Sequence, residues 1–374
     1  MFQVFRTALV SIATLALIAC GGSGGPGANP PPSKMDASQA ADDLVSTSMH
    51  PAALTVQVTA SNVDVQVRGL RKVGGAPATT EDRFPMGSLT KAMTATLAGV
   101  LVQDGVLDWN TKLLDVLPEF AASARAEYAN VTLRDLLAHR AAIFPAETAE
   151  QIALLPDVSG TRTEQRLQLI DWALRRAPTF TPGSKAEYSN GGYLAAAAMI
   201  ERAGALSYEQ LLQARVFNPL GASVVFGSPG STGGPLGHTS TDGKKWTAVP
   251  ADDPRAQYPE FANPAGGALL RGADLGAFLS LHLRALRGEN GLVITPATAT
   301  TLHTVIGGDY ALGWLDGKGI DNAPLSWHNG SDDLSYYSLM SVSSGKNVAA
   351  AAAVNGVSPG TEAALSAVVA KMQL

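Results

Sequence analysis

Cysteine is almost missing from this chain: Cys20 is the single example among 374 residues. A lone thiol closes no internal disulfide, so a disulfide-stapled scaffold and a multi-cysteine zinc site are both excluded. Histidine is scarce too, six in all, and no two stand at metal-ligand spacing, so no metal is expected. Charged residues make up only 16% of the chain and sum to a net charge of −5, with no basic block. A nucleic-acid partner is therefore not expected. Long apolar runs are lacking except at the start, where Ala8 to Ala19 is too short to span a bilayer comfortably. No internal repeat is present.

That first run follows a single charge, Arg6, and reads as an export signal over residues 1–19. It ends in Leu17-Ile18-Ala19-Cys20, which resembles the lipobox of bacterial lipoproteins, in which cleavage before the cysteine leaves it lipidated. Cys20 is thus the expected lipidation site. Residues 20–34 continue as a Gly, Ser, Pro, Ala and Asn tether that cannot bury a core. The expected location is the bacterial cell envelope, anchored in the outer membrane and facing the periplasm, because Gly21 rather than Asp follows the cysteine. Residues 35–374 remain for one large domain or two intimately packed lobes.

Within that domain Asp36 to Ser48 has helical spacing, while Leu54–Val58 and Val63–Val67 alternate with period two across Ala60-Ser61-Asn62. Tyr337–Val342 and Val348–Val354 form a second β pair near the other end, followed by a closing helix at Thr361–Met372. Tyr310–Trp314 looks like a further short strand, and residues 221–264 like a long loop with short strands. Between the pairs the chain is mostly helical. The order predicts an α+β fold: an antiparallel sheet built from both termini, flanked by helices, with an inserted mainly helical lobe and a cleft between.

The strongest chemical signal is Ser88-Leu89-Thr90-Lys91, placed where Leu89, Met93, Leu97, Val100 and Leu101 begin an amphipathic helical pattern. Residues three apart share a helix face, so Lys91, once desolvated, can take the Ser88 proton. Unpaired N–H groups at a helix start also suit an oxyanion. Spacing alone is weak: Ser343-Ser344-Gly345-Lys346 repeats it inside a Ser/Gly turn between strands, with no helix to align the side chains. Tyr188 and Asn190 form a second group, the tyrosine as a proton carrier whose phenolate a nearby lysine would favour, the amide as an orienting group. Tyr128-Ala129-Asn130 has the same spacing but abuts a helix capped by Thr132 with Asp135 at the third position, and is assigned to a loop. His139, at the end of that helix, reads as structural. His328-Asn329-Gly330-Ser331 precedes a strand, where His328 could offer charge or a donor and Gly330 a close approach.

Taken together, the three groups resemble the serine β-lactamase and penicillin-binding-protein superfamily, in the branch of class C β-lactamases, DD-peptidases and related esterases. Pro182-Gly183, Leu136-Leu137-Ala138-His139 and Gly313-Trp314 add to the likeness, which covers Leu54 to Asn355. The resemblance implies a β-lactamase/transpeptidase-like fold, acylation of Ser88, proton transfers shared by Lys91 and Tyr188, substrate orientation by Asn190, and an oxyanion hole from the amides of Ser88 and Ser331. It implies no cofactor. Substrates would be small esters, amides or peptidoglycan-like peptides, with a DD-carboxypeptidase, a class C-like β-lactamase and a non-catalytic penicillin-binding sensor as the alternatives. Asn329 stands where the family usually has a hydroxyl that helps hold a substrate carboxylate, so ester cleavage is favoured over carboxylate-bearing substrates. No Glu lies four residues before an Asn, which removes the deacylating glutamate of class A enzymes.

Overall fold

A computed structural model describes residues 33–374 except 229, 231, 232 and 333. The expected export signal, Cys20 and most of the tether lie outside the described residues. Six antiparallel strands build the main sheet: β1 (Ala52–Thr59), β2 (Val63–Gly69), β3 (Leu315–Lys318), β4 (Pro324–Ser331), β5 (Tyr337–Ser343) and β6 (Val348–Val354), in the order β2-β1-β6-β5-β4-β3. The strands from the two ends of the domain meet in the middle, with Ala53 opposite Val354 and Thr59 opposite Val348.

Burial explains the composition of the central strands. The seven residues of β6, Val-Ala-Ala-Ala-Ala-Ala-Val, are buried on both faces, and small side chains let helices come close from either side. On one face Ala53, Leu339, Ala350, Ala352 and Val354 pack against Leu365, Val368 and Met372 of the closing helix and Leu44 of the N-terminal one. On the other face Leu54, Val56, Met340, Ala349 and Ala351 join the large core that contains the helical lobe.

The lobe is organised by α1 (Thr90–Gln103), α2 (Arg162–Leu174), α3 (Asn190–Gly204) and α4 (Gly272–Leu286). The apolar spacing predicted one buried stripe on α1; instead every residue from Thr90 to Leu101 is buried. Ala92, Thr94, Ala95, Thr96, Ala98 and Gly99 make this possible, because their small side chains admit neighbouring elements on the side that a stripe would leave to water. Capping residues set the ends as chemistry requires: Thr132 receives the Asp135 amide while the Asp135 carboxylate takes the Thr132 amide, and Thr161 and Glu164 repeat the device on α2.

Two local expectations need correction. Tyr310–Trp314 is no strand: Gly313 adopts φ +80°, and the strand begins only at Leu315. A Cβ on Gly313 would lie 2.7 Å from Cα of Ala92, so the bend exists to let this segment ride on the backbone of α1. The N-terminal helix predicted over Asp36–Ser48 is α-helical only for Ala37–Asp42 and widens to a π turn over Asp43–Thr47.

Candidate active site

Ser88 sits in a tight 3-10 turn, Gly87–Leu89, that runs straight into α1. Gly87 holds φ +50° and packs against β4 so closely that a Cβ would stand 2.7 Å from the Ser331 amide nitrogen. From the other side, a Cβ on Gly330 would stand 2.1 Å from the Met86 carbonyl oxygen and 2.8 Å from the Ser88 amide nitrogen. Only glycine fits at either place. This mutual approach brings the backbones of Ser88 and Ser331 to one spot, and Ser338 locks it by donating its hydroxyl to the Met86 carbonyl at 2.8 Å.

Around the Ser88 hydroxyl the structure brings together three of the residues singled out in the sequence. Lys91 Nζ lies 3.0 Å from Ser88 Oγ, 2.8 Å from Asn190 Oδ1 and 2.7 Å from the carbonyl oxygen of Ala265. Tyr188 donates its phenol to Ser88 Oγ at 2.7 Å. The Asn190 amide cannot be turned around, because its NH2 group donates to the Ala146 carbonyl at 2.9 Å. Its oxygen therefore faces Lys91.

Lys91 is fully buried, and desolvation lowers its pKa to about 7 even though the Glu147 carboxylate pulls the other way. An ammonium here finds three acceptors for its three protons. When neutral it keeps two protons, and two of its partners are carbonyl oxygens that can only accept. The lone pair is then left facing Ser88. Tyr188 departs from expectation: burial raises its pKa well above the ordinary value, outweighing the hydrogen bond to Ser88 that lowers it. Its ring centroid lies 4.6 Å from Lys91 Nζ, yet the phenol stays protonated at rest instead of becoming a phenolate.

The third group is arranged differently from the expectation. His328 is buried and its pKa is pushed down to about 3 by burial, with Lys91 nearby adding to the effect. Its Nδ1 lies 2.6 Å from the Asn329 carbonyl oxygen and its Nε2 lies 2.9 Å from the Tyr310 hydroxyl. Both ring nitrogens are thereby spent inside the protein, and His328 offers a substrate neither positive charge nor a donor. Asn329 lies opposite Leu339 on the sheet face that carries the closing helix, and its NH2 group donates to the Tyr337 hydroxyl at 2.9 Å. Ser331 donates its hydroxyl to the Tyr336 carbonyl at 3.2 Å, which leaves its position in the site to its backbone.

Several contributors carried no warning in the sequence. The carbonyls of Ala265 and Ala146 act through backbone, which every residue possesses. His139 adopts φ +58°, accepts the Ser189 amide on Nδ1 at 3.0 Å and lies with its ring centroid 4.4 Å from those of both Tyr188 and Tyr310. It fixes the tyrosine from behind, so its structural reading acquires a specific object. Tyr310, read as part of a strand, closes the underside of the site through His328. Among the described residues no cluster of three or more His, Cys, Asp or Glu side chains could hold a metal ion.

The family model described as "Beta-lactamase" matches residues 41–371. Penicillin-binding protein 4 of Amycolatopsis lactamdurans is 27% identical over 321 residues, covering 82% of this chain and 80% of that protein. The D-alanyl-D-alanine-carboxypeptidase/endopeptidase AmpH of Escherichia coli strain K12 is 30% identical over a shorter stretch, 36% of this chain and 34% of its own length. Among solved structures, D-amino acid amidase from Ochrobactrum anthropi SV3 superposes with a TM-score of 0.70 at 20% identity, covering 89% of this chain and 96% of that one. The chain belongs to the Beta-lactamase family and has the β-lactamase/transpeptidase-like fold of these serine hydrolases.

Proposed function

We propose that this member of the Beta-lactamase family cleaves small esters or amides through an acyl-enzyme on Ser88. One observation carries the reading: Lys91 Nζ is held between two carbonyl oxygens and Ser88 Oγ, so that loss of a proton near neutrality turns its lone pair onto the nucleophile. Lys91 takes the Ser88 proton as Oγ attacks the substrate carbonyl carbon. The oxygen that becomes negative is received by the backbone N–H groups of Ser88 and Ser331, which the Gly87–Gly330 approach brings together. Tyr188 gives its proton to the departing alcohol or amine and regains one from Lys91. Water then enters where the leaving group stood and loses a proton through Tyr188 to Lys91, which returns a proton to Ser88 Oγ at 3.0 Å as the acyl–oxygen bond breaks and the acid leaves. Asn190 keeps Lys91 in register throughout.

With both His328 nitrogens bonded inside the protein and the Asn329 side chain on the far face of the sheet, bonded to Tyr337, neither offers a carboxylate a cation, which favours substrates without a carboxylate beside the scissile bond. A charge-assisted hydrogen bond to such a carboxylate is worth about 1.5–3 kcal/mol, a factor of about ten to a hundred in specificity. A panel of p-nitrophenyl esters, a cephalosporin and D-Ala-D-Ala peptides tests this against the protein and its Ser88→Ala variant. Higher kcat/KM for a short ester than for the other two is expected. Faster turnover of the cephalosporin would install a β-lactamase in its place, and faster turnover of the peptide a DD-carboxypeptidase. Fluorophosphonate labelling of Ser88 without turnover of any of them would support the non-catalytic sensor. From the sequence up to Cys20 we further propose export and lipid anchoring in the cell envelope, which membrane release on Cys20→Ala would support.

A further inference from the structure

The Ala265 carbonyl that holds Lys91 belongs to a stretch with an unusual degree of anchorage. Six consecutive carbonyl oxygens, Glu260 to Ala265, each have a named donor. Arg166 Nη2 reaches Glu260 at 3.5 Å and Arg166 Nε reaches Phe261 at 2.9 Å. The Tyr258 hydroxyl takes Ala262 at 2.9 Å, the Gly267 amide takes Asn263 at 3.0 Å, and Thr94 Oγ1 takes Pro264 at 2.7 Å. Lys91 takes Ala265 at 2.7 Å. Beyond the carbonyls, the buried Asn263 side chain donates to Glu209 at 2.9 Å through the same carboxylate oxygen that pairs with Arg166. Arg166, on α2 and fully buried, also pairs with Glu201 on α3, while its guanidinium lies 5.7 Å from the Tyr208 ring centre. The Tyr208 hydroxyl in turn meets Thr94 at 2.8 Å, on the α1 face that carries Lys91.

We infer that Asn263 and Thr94, bolted to the buried Arg166–Glu201–Glu209 cluster, are positioning residues that aim the Ala265 carbonyl at Lys91 and so keep the Lys91 lone pair on Ser88. The inference rests on the reading of Ser88 and Lys91 as nucleophile and base. Geometry gives the reason. A four-residue helical turn, Asn263–Gly266, is too short to hold its own orientation. Arg166, Tyr258 and the Gly267 amide hold the carbonyls of residues 260–263, and the two side-chain ties fix the part nearest Lys91; without them the Ala265 carbonyl is held less firmly, and a neutral amine gains a second direction in which its lone pair can lie. The titratable groups facing Lys91 are Tyr188 and Tyr193, whose rings lie 4.6 and 5.6 Å from Nζ, together with Glu147, His139 and His328. None of these is altered by changing Asn263 or Thr94.

The test is the pH dependence of inactivation by a fluorophosphonate, in the wild type, Asn263→Ala and Thr94→Val, with the labelled serine identified by peptide mapping. The first variant cuts the tie to Glu209 and the second, nearly equal in volume, cuts the tie to Pro264, so the second carries the test if the first does not fold. The expected result is a limiting rate lowered about tenfold or more with unchanged reversible inhibitor affinity. The acid limb should also move to lower pH, because an ammonium that loses an acceptor is less favoured. Variants that melt at lower temperature but keep both the limiting rate and the limb of the wild type would overturn the positioning role and leave the Ser88 reading standing. A wild type that is not labelled at Ser88 would remove both.

Discussion

The chain holds the Ser-Xaa-Xaa-Lys pattern twice, and the two copies behave differently. At Ser88 the serine sits in the middle of a 3-10 turn and the lysine follows on a helix, so both side chains leave the same face and meet at 3.0 Å. At Ser343 the serine ends β5, its hydroxyl donates to the Pro324 carbonyl at 3.0 Å, and Lys346 lies in the turn over residues 344–347, in an ion pair with Asp321. Lys91 has no exposed surface, while the Lys346 side chain keeps 30% of its own. Spacing is common to both. What separates them is a helix start that aligns the pair and a core that strips water from the amine.

The sharpest way to break this comparison is to remove each serine. Ser88→Ala should lower ester kcat/KM by roughly three orders of magnitude or more, whereas Ser343→Ala should leave it unchanged and cost about 1 kcal/mol of stability. Equal losses in a p-nitrophenyl ester assay would put the two tetrads on one footing. Next in size is Tyr188→Phe, which keeps the ring against His139 but removes the proton carrier; a loss of about 10²- to 10⁴-fold in kcat with little change in melting temperature is expected. The pH profile comes third. The Lys91 pKa is lowered to about 7, and the base must be unprotonated, so kcat/KM should rise through about pH 7 and fall about tenfold for each unit below it. A flat profile between pH 5 and 8 would mean that Lys91 is not the base. Smallest is Lys346→Ala, which should change activity not at all and stability by less than about 1 kcal/mol, measured by denaturant unfolding.

Much of the fold was legible because the first two strands alternate with period two, the last two are short apolar runs around a Ser/Gly turn, and the segments between have helical spacing. Leu54–Val58 and Val63–Val67 show their faces in the letters themselves. The nature of α1 did not show, since Ala, Thr and Gly are counted as neutral on a polarity scale while their small volume is what buries the helix on all sides. Tyr310–Trp314 misled because apolar residues in a short run suit a strand equally well, and only the contact of Gly313 with Ala92 reveals a bend. In the site, the proximity of Ser88, Lys91, Tyr188 and Asn190 follows from motifs, but their protonation does not. Sequence placed a tyrosine beside a lysine and suggested a phenolate; burial, invisible in sequence, pushes Tyr188 the other way. Likewise His328 and Asn329 are adjacent in the chain yet face opposite sides of β4, one toward Tyr310 and the other toward Tyr337.

The meeting of the first and last strands in the middle of the sheet has a consequence for biosynthesis. The Ala52 amide waits for the Asn355 side chain, 303 positions later. Pairings so remote make loop closure expensive and folding slow, and they cannot form until residues 348–355 have left the ribosome. Because β4 and β5 supply Gly330 and Ser338 behind the nucleophile turn, a nascent chain that has already emitted Ser88 and Lys91 lacks the backing that shapes them. The turn that carries Ser88 therefore gains its backing only after residues 324–343 have been made.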